Sequence, residues 1–529
     1  MICEQEGARA RLAVRDTLAG RRVLVTGATG FLGKLLVEKL LRDVPDIGGI
    51  VLLIRGSDQR PTARERFEAE VATSSVFDRL RREQGEKFAD VCRRKIECVT
   101  GEVTQPAFGL DPEAFADLAG RVDVVVHAAA SVEFRDDLQR ALTINASSLL
   151  NVAAFVRAAR GVPLVHVSTC YVNGFNTGEC REEVVTPARA CSGVRRHPLG
   201  FFEVGPLLEE LQRAIAVARA RGGSDAAISR RLVEVGVRES QRRGWNDTYT
   251  FTKWIGEQLV SEALQDGTLT IVRPSIIESA CSEPVPGWVE GVKVADAIIL
   301  AYARGKAPCF PARRSRVVDI VPADLVANGV IVAMAEAIAE PGRRRIYQSC
   351  TGSTNPIKVG RLCGLLQDEV NRNYARYPRL FSRGRPRRDM WILDRRLFVV
   401  AMAALQAWLQ FRESCRRLLG WRSRGPRASL STNIKLAVTF SFYTSPNCIF
   451  RNDRLQTLAG RLDPAEQAMF PADGRSVDWD RYMGPIHLGG LDRYALKDRM
   501  PAATGDVDAP PAEPSPWDQS VCAADDRSV

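Results

Sequence analysis

The chain has 529 residues, 45% of them hydrophobic, and a net charge of +11 that comes almost wholly from arginine, since only ten lysines occur. That length allows a large core and more than one folded unit, while the longest unbroken apolar run, residues 397–405, falls well short of the ~20 residues that span a bilayer. The basic balance suits an anionic ligand or a membrane surface, yet nothing reads as a nucleic-acid module, and thirteen cysteines without a C-x-x-C pair predict reduced thiols in the cytoplasm, not a disulfide or zinc framework.

The N-terminal stretch, MICEQEGARARLAVRD, is charged throughout and lacks an apolar core, so no secretory signal is expected. Residues 21–55 organise the rest of the chain. An apolar run at 23–25 predicts a buried parallel strand ending in Gly27, Gly30 and Gly33. Apolar residues at helical spacing come next (Phe31, Leu35, Leu36, Leu40), then a second apolar run at 50–54. Strand, glycine turn, helix and strand make the first unit of a dinucleotide-binding sheet. The glycines let backbone N–H groups approach a pyrophosphate, and the helix N-terminus favours its charge. Thr29, Phe31 and Leu32 join the three glycines as candidate cofactor contacts.

Arg55 closes the second strand, and Arg60, Arg64 and Arg66 come after it. An acid at that strand end holds a ribose 2′-hydroxyl, whereas an arginine pairs with a 2′-phosphate. The expected cofactor is therefore NADPH, with Arg55 and Arg64 as contacts. A third strand at 96–100 leads to Glu102 and Val103, the border of an adenine pocket. A fourth at 122–127 runs into Ala128 and Ala129, small enough to let a cofactor lie across the sheet. Asn145 reads either as a brace for backbone near the site or as a cap or surface residue. The fifth strand, 164–167, ends in Ser168-Thr169-Cys170, whose hydroxyls point at the crevice. Residues 175–245 then break the rhythm. They predict an insertion of two or more helices over the substrate side, or else a solvated connecting module. Tyr249 and Lys253, four apart on a helix, share one face, and a sixth strand is expected at 269–272.

TGATGFLG, the Ser168-Thr169 strand end and YTFTK together resemble the extended short-chain dehydrogenase/reductase superfamily. IVRPSI (271–276), EPVPGW (283–288), DIVPAD (319–324), Asn355-Pro356-Ile357, and Trp479 and Tyr482 in the closing helical stretch narrow the likeness to fatty acyl-CoA reductases. The resemblance spans residues 20–500. It implies an α/β fold, a Rossmann-type doubly wound parallel sheet with a helical insertion, followed by a smaller, mainly helical C-terminal domain. The expected boundaries are an extension at 1–20, the reductase domain at 21–365, the helical domain at 366–500 and a Pro/Ala/Asp-rich disordered tail at 501–529. It also implies NADPH-dependent reduction of a long-chain acyl-CoA through an aldehyde to the alcohol. By position, Thr169, Tyr249 and Lys253 are catalytic, with Ser168 ranked behind Thr169. Pro274, Ser275 and Ile276 become cofactor contacts, and Glu102 stands where relatives often carry Asp.

Hydride addition to a carbonyl builds negative charge on oxygen, which needs donors placed around it. Tyr249 serves as general acid and Thr169 as second donor. Lys253 is expected to lower the phenol from its reference pKa of ~10 and to contact the nicotinamide ribose. A thioester forms a hemithioacetal that expels the thiol, and no acyl-enzyme is required. A thiolate at Cys170 is the rival scheme; packing is the preferred role for Cys170, as it is for His127 and His166, and no metal is expected. Residues 383–424 set an apolar stretch with Trp408 and Trp421 between arginine-rich flanks. That pattern fits an interfacial membrane segment and a buried helix equally well. The competing functions are an aldehyde-releasing or carrier-protein thioester reductase, a sugar-nucleotide epimerase or dehydratase, and a non-catalytic NADP-binding regulator. Acyl chain length, thioester donor, end product and oligomeric state are not legible.

Overall fold

A computed structural model describes residues 10–305, 309–386, 389–418, 441–444 and 446–496. The tail expected at 501–529, the first nine residues of the N-terminal extension and Trp421 lie outside the described residues. The chain forms two compact units, each assembled from separated stretches of sequence.

The first unit comprises Met1–Trp288, Asp319–Asn355 and Asn447–Val477. Its sheet has seven parallel strands: β1 (Arg22–Thr26), β2 (Gly49–Ile54), β3 (Ile96–Thr100), β4 (Val124–His127), β5 (Leu164–Val167), β6 (Leu269–Pro274) and β7 (Arg344–Ser349). Their spatial order is β7-β6-β5-β4-β1-β2-β3. The order reverses between β1 and β4, and a doubly wound sheet opens its ligand crevice at the carboxyl ends of such a pair. Thr26 and His127 are register partners there, so Gly27 and Ala128 emerge side by side.

Helices cover both faces, which is why β2 is apolar and buried along its whole length. α1 (Phe31–Asp43) joins β1 to β2, and α2 (Ser148–Ala158) precedes β5. Phe155 and Val152 of α2 share a core with Leu24, Val51, Val125 and Leu269. The continuous run Leu138–Ala158 is the one helical stretch, among the described residues, long and apolar enough to cross a membrane. Most of its apolar side chains are instead buried in this unit. Sequence periodicity marks only six strands. β7 escapes it because two arginines open the strand, Arg344 and Arg345, and the second is buried only by pairing with Glu336 and Glu340.

Between β5 and β6, α3 (Gly205–Ala220) and α4 (Asp225–Arg243) precede α5 (Thr248–Ala263). Leu207, Leu211 and Leu232 of the first two pack with Trp245, Phe251 and Trp254 at α5. α6 (Ala323–Ala339) leads to β7, and its buried Asp324 accepts from the backbone N–H groups of Cys281, Ser282 and Glu283.

The second unit comprises Val289–Val318, Pro356–Pro446 and Asp478–Val529. It contains two short strand pairs, Cys309–Pro311 with Trp391–Leu393 and Val317–Val318 with Ile357–Lys358. Two long helices belong to it, α7 (Val359–Asn373) and α8 (Arg395–Leu418). Its closing helical run buries Trp479, Tyr482 and His487, with the two aromatic rings meeting edge-on at 6.0 Å.

Candidate active site

The glycine turn fits a dinucleotide by what it excludes. Gly27 has φ +76°, and a Cβ on it would sit 2.6 Å from the backbone of Ala128 and Ala129. A Cβ on Gly33 would sit 2.2 Å from the Gly27 carbonyl oxygen. The turn and the helix behind it thus close tightly only with glycine, while Gly30 caps α1 without a side-chain cap bond. A thirteen-residue helix opening on a glycine cap at a switch point is suited to a pyrophosphate. Gly30 is exposed at this turn, and Thr29 and Leu32 are partly so. Phe31 supplies backbone there, since its ring is stacked on Trp288 at 5.1 Å.

Arg55 follows β2, its side chain 65% exposed and 3.7 Å from the Glu102 carboxylate. Arg64 turns the other way. Its guanidinium bonds the Ile96 carbonyl at 3.2 Å and covers the Phe67 ring. Ile96 begins β3 while Thr100 ends it, so that contact is ~13 Å from the crevice end of the strand. Val103 packs its side chain into the sheet core and offers only its carbonyl, to Asn151. The backbone N–H of Ala129 is 3.4 Å from the Thr26 hydroxyl.

Asn145 is buried in a π-helical turn, Thr143–Ser147, and acts as a brace. Its side-chain oxygen accepts from the Ser131 N–H at 2.9 Å. Its amide donates to the Ser131 carbonyl at 3.0 Å and to the Thr252 hydroxyl at 3.1 Å. One side chain therefore ties the loop after β4 to α5. Ser131 and Thr252 carry no sequence signal of that role.

α5 begins at Asp247, whose carboxylate accepts from the Thr250 N–H at 3.0 Å, an N-cap legible in the Asp-x-x-Thr spacing. Tyr249 lies in its first turn, its ring edge-on to Phe134 at 5.9 Å. Its phenol is near enough to the Thr169 hydroxyl for that hydroxyl to favour the phenolate form. Thr169 comes just after β5, accepts from the Tyr171 N–H at 3.2 Å and lies 3.4 Å from the Pro274 carbonyl. Ser275 and Ile276 continue from that point, their N–H groups donating to the Ser349 and Asp319 carbonyls. Lys253, one helical turn beyond Tyr249, is buried and donates to the Val167 carbonyl at 2.7 Å. The structure thus gathers Thr169, Tyr249, Lys253 and the end of β6 at one place. Ser168 is close by, but its buried hydroxyl has no hydrogen-bond partner among the described residues, which supports Thr169 over it.

Electrostatics depart from the sequence expectation at the phenol. Burial pushes the Tyr249 phenol up and the Asp247 charge adds to this, with the Thr169 hydroxyl opposing. Lys253, its ammonium on the Val167 carbonyl, is not among the groups that lower it. Burial lowers Lys253 itself to about 8, against the pull of Glu257. His127 and His166 stack at 5.4 Å beneath the site. Burial, then the Lys253 charge, holds His127 down at about 3 and His166 well below its usual range, so both stay neutral.

Cys170 is fully buried and donates to the Arg273 carbonyl at 3.0 Å. Burial raises its pKa, which disfavours the thiolate that a nucleophile requires. Cys170→Ala is expected to retain most thioester-reducing activity in steady-state assays; complete loss from a protein with normal circular dichroism would restore the acyl-enzyme scheme.

Two profiles, each described as male sterility protein, match residues 25–330 and 413–498. Fatty acyl-CoA reductase 1 of Arabidopsis thaliana is 31% identical over 498 residues, covering 91% of this chain and 98% of its own. The alcohol-forming fatty acyl-CoA reductase of Simmondsia chinensis is 28% identical, covering 92% and 99%. In fold, the chain is similar to the terminal R domain from the myxalamid PKS-NRPS biosynthetic pathway, with TM-score 0.54, 16% identity and coverage of 93% and 95%. Sheet order, glycine turn and profile match agree: the chain belongs to the male sterility protein family, among the fatty acyl-CoA reductases.

Proposed function

We propose that the chain reduces long-chain acyl-CoA thioesters with NADPH, by way of an aldehyde, to primary alcohols. The observation that carries this is the gathering of Thr169, Tyr249 and, one turn on, Lys253 at the carboxyl end of β5. Gly27, Gly30 and Gly33 with the α1 N-terminus would hold the pyrophosphate, and Arg55 the 2′-phosphate. Bound there, the dihydronicotinamide supplies hydride. The chain's own residues manage the oxygen. Tyr249 gives its phenolic proton to the carbonyl oxygen as charge builds there, Thr169 offers a second hydrogen bond to that oxygen, and the Lys253 ammonium would donate to the nicotinamide ribose. The high pKa of a buried phenol keeps it protonated before the reaction, as a general acid must be. The hemithioacetal then collapses by expelling thiol, and the aldehyde meets the same two hydroxyls. Incubation with NADPH and a panel of acyl-CoA and acyl-carrier thioesters, with product chromatography, tests substrate and end product together.

Arg55 carries the NADPH reading, because Arg64 is engaged elsewhere. A charge-assisted contact contributes about 1.5–3 kcal/mol, so Arg55→Asp is expected to lower kcat/KM for NADPH by roughly 10–100-fold and to leave NADH nearly unchanged. Equal loss with both cofactors would remove Arg55 from that role. Lys253 acts as its ammonium form. With its pKa at about 8, kcat/KM is expected to fall as pH rises through that value, and Lys253→Met to abolish that limb of the profile along with most activity.

Ten of the described cysteines are free, which suits a reducing cytoplasm. A long-chain substrate also partitions into lipid, where residues 383–424 are proposed to give the enzyme peripheral contact.

A further inference from the structure

We infer, building on that peripheral-contact reading, that one face of α8 lies flat on an anionic lipid surface. Along α8, Leu397, Val400, Ala404, Trp408 and Phe411 recur at i, i+3, i+7, i+11 and i+14, the spacing of a single helical stripe. All five are exposed, with Leu397 at 63%, Val400 at 67%, Trp408 at 53% and Phe411 at 68%. Phe398, on the other side, is buried at 4%. A surface helix of a globular unit buries its apolar stripe; this one turns most of it outward. The exposure is concentrated, not scattered. Of twelve exposed large apolar side chains among the described residues, six lie between Trp391 and Phe411. A patch of that kind marks an interaction surface.

Charge selects the occupant. Residues 383–412 contain seven arginines and two aspartates, a net charge of 7 − 2 = +5. One of those aspartates, Asp394, is paired with Arg313 at 2.9 Å. Arg383, Arg385, Arg396 and Arg412 are exposed, and the Arg412 guanidinium covers the Trp408 ring at 4.8 Å. A second copy of the chain would bring two such cationic rims together, whereas anionic headgroups neutralise them. Tryptophan with an arginine at its edge suits the boundary between acyl chains and headgroups. α8 does not reach the hydropathy of a membrane span, unlike the run Leu138–Ala158, and a helix of this pattern lies in the interface plane.

Flotation of the full chain with phosphatidylcholine vesicles, with and without phosphatidylglycerol, tests this. The wild type is expected to float with the anionic vesicles and to be released by salt. Val400→Asn/Trp408→Gln/Phe411→Asn is expected to weaken binding at least ~30-fold, and Arg396→Gln/Arg412→Gln roughly tenfold or more with a smaller salt response. These side chains are exposed, so both variants should keep the wild-type thermal midpoint. Flotation of the triple variant equal to wild type would overturn the assignment to α8 while leaving peripheral contact standing. No flotation of the wild type would overturn both. A dimer in sedimentation that the triple variant dissociates, without lipid binding, would make the occupant a second copy and overturn the lipid surface. None of these results depends on turnover.

Discussion

Tyr249→Phe is expected to lower kcat for thioester reduction by ~10²–10⁴, the range for removing a positioned general acid. The ring keeps its edge-on contact with Phe134, and only the phenolic oxygen is lost, so the thermal midpoint should not move. Steady-state kinetics with saturating NADPH read the effect in kcat, while KM for the thioester stays near wild type. Thr169→Val should cost less, ~10²-fold, because one donor to the developing oxyanion disappears and the proton donor stays. Ser168→Ala should cost least, since the Ser168 hydroxyl is bonded to nothing among the described residues. If Ser168→Ala were the most damaging of the three, the assignment of Thr169 would be wrong.

The second large effect is on stability. Arg273 of β6 donates to Glu257 of α5 through Nε at 2.9 Å and Nη2 at 2.6 Å, and to the Glu183 carbonyl at 2.8 Å. The two side chains are 0% and 2% exposed. Arg273→Met leaves the Glu257 carboxylate buried and unpaired, which costs about 3–5 kcal/mol. Domains are stable by only ~5–15 kcal/mol, so urea unfolding should begin at much lower denaturant. Arg273→Met/Glu257→Leu removes both charges and should recover much of the loss. Additive effects in that double-mutant cycle would mean that the pair is not coupled. The same bridge holds the catalytic helix against the strand whose Pro274 carbonyl lies beside Thr169, so activity should fall with stability in the single variant.

The dinucleotide sheet was legible because buried parallel strands are apolar runs and the glycine turn is a local pattern. Residues 23–25, 50–54, 96–100 and 164–167 needed no tertiary information. β7 did, because Arg345 is acceptable in a buried strand only once Glu336 and Glu340 are beside it. The interleaving of the two units was invisible for a similar reason. Residues 447–477 return to the first unit through a parallel pairing of Cys448–Phe450 with Gly178–Cys180, a contact between positions far apart in the chain. At the site, Tyr249 and Lys253 were visible from their spacing, whereas the Asp247 cap was missed although its pattern is local. Arg64 was misjudged by proximity: it lies just past the strand end in sequence, but its length lets it reach back to Ile96. The phenol's pKa was misjudged because sequence shows a nearby lysine and not the carbonyl that holds it, nor the burial that outweighs it. For α8, the stripe was readable, but whether it faced a core or solvent was a matter of packing.

The most direct test of the account is the ratio of NADPH oxidised to thioester consumed by the purified chain with a long-chain acyl-CoA, monitored by nicotinamide absorbance and thiol release in one cuvette. Two NADPH are expected for each thiol released, with primary alcohol as product and both signals suppressed together by Tyr249→Phe. Thiol release without NADPH oxidation, or a Tyr249→Phe variant with the wild-type ratio and rate, would contradict it.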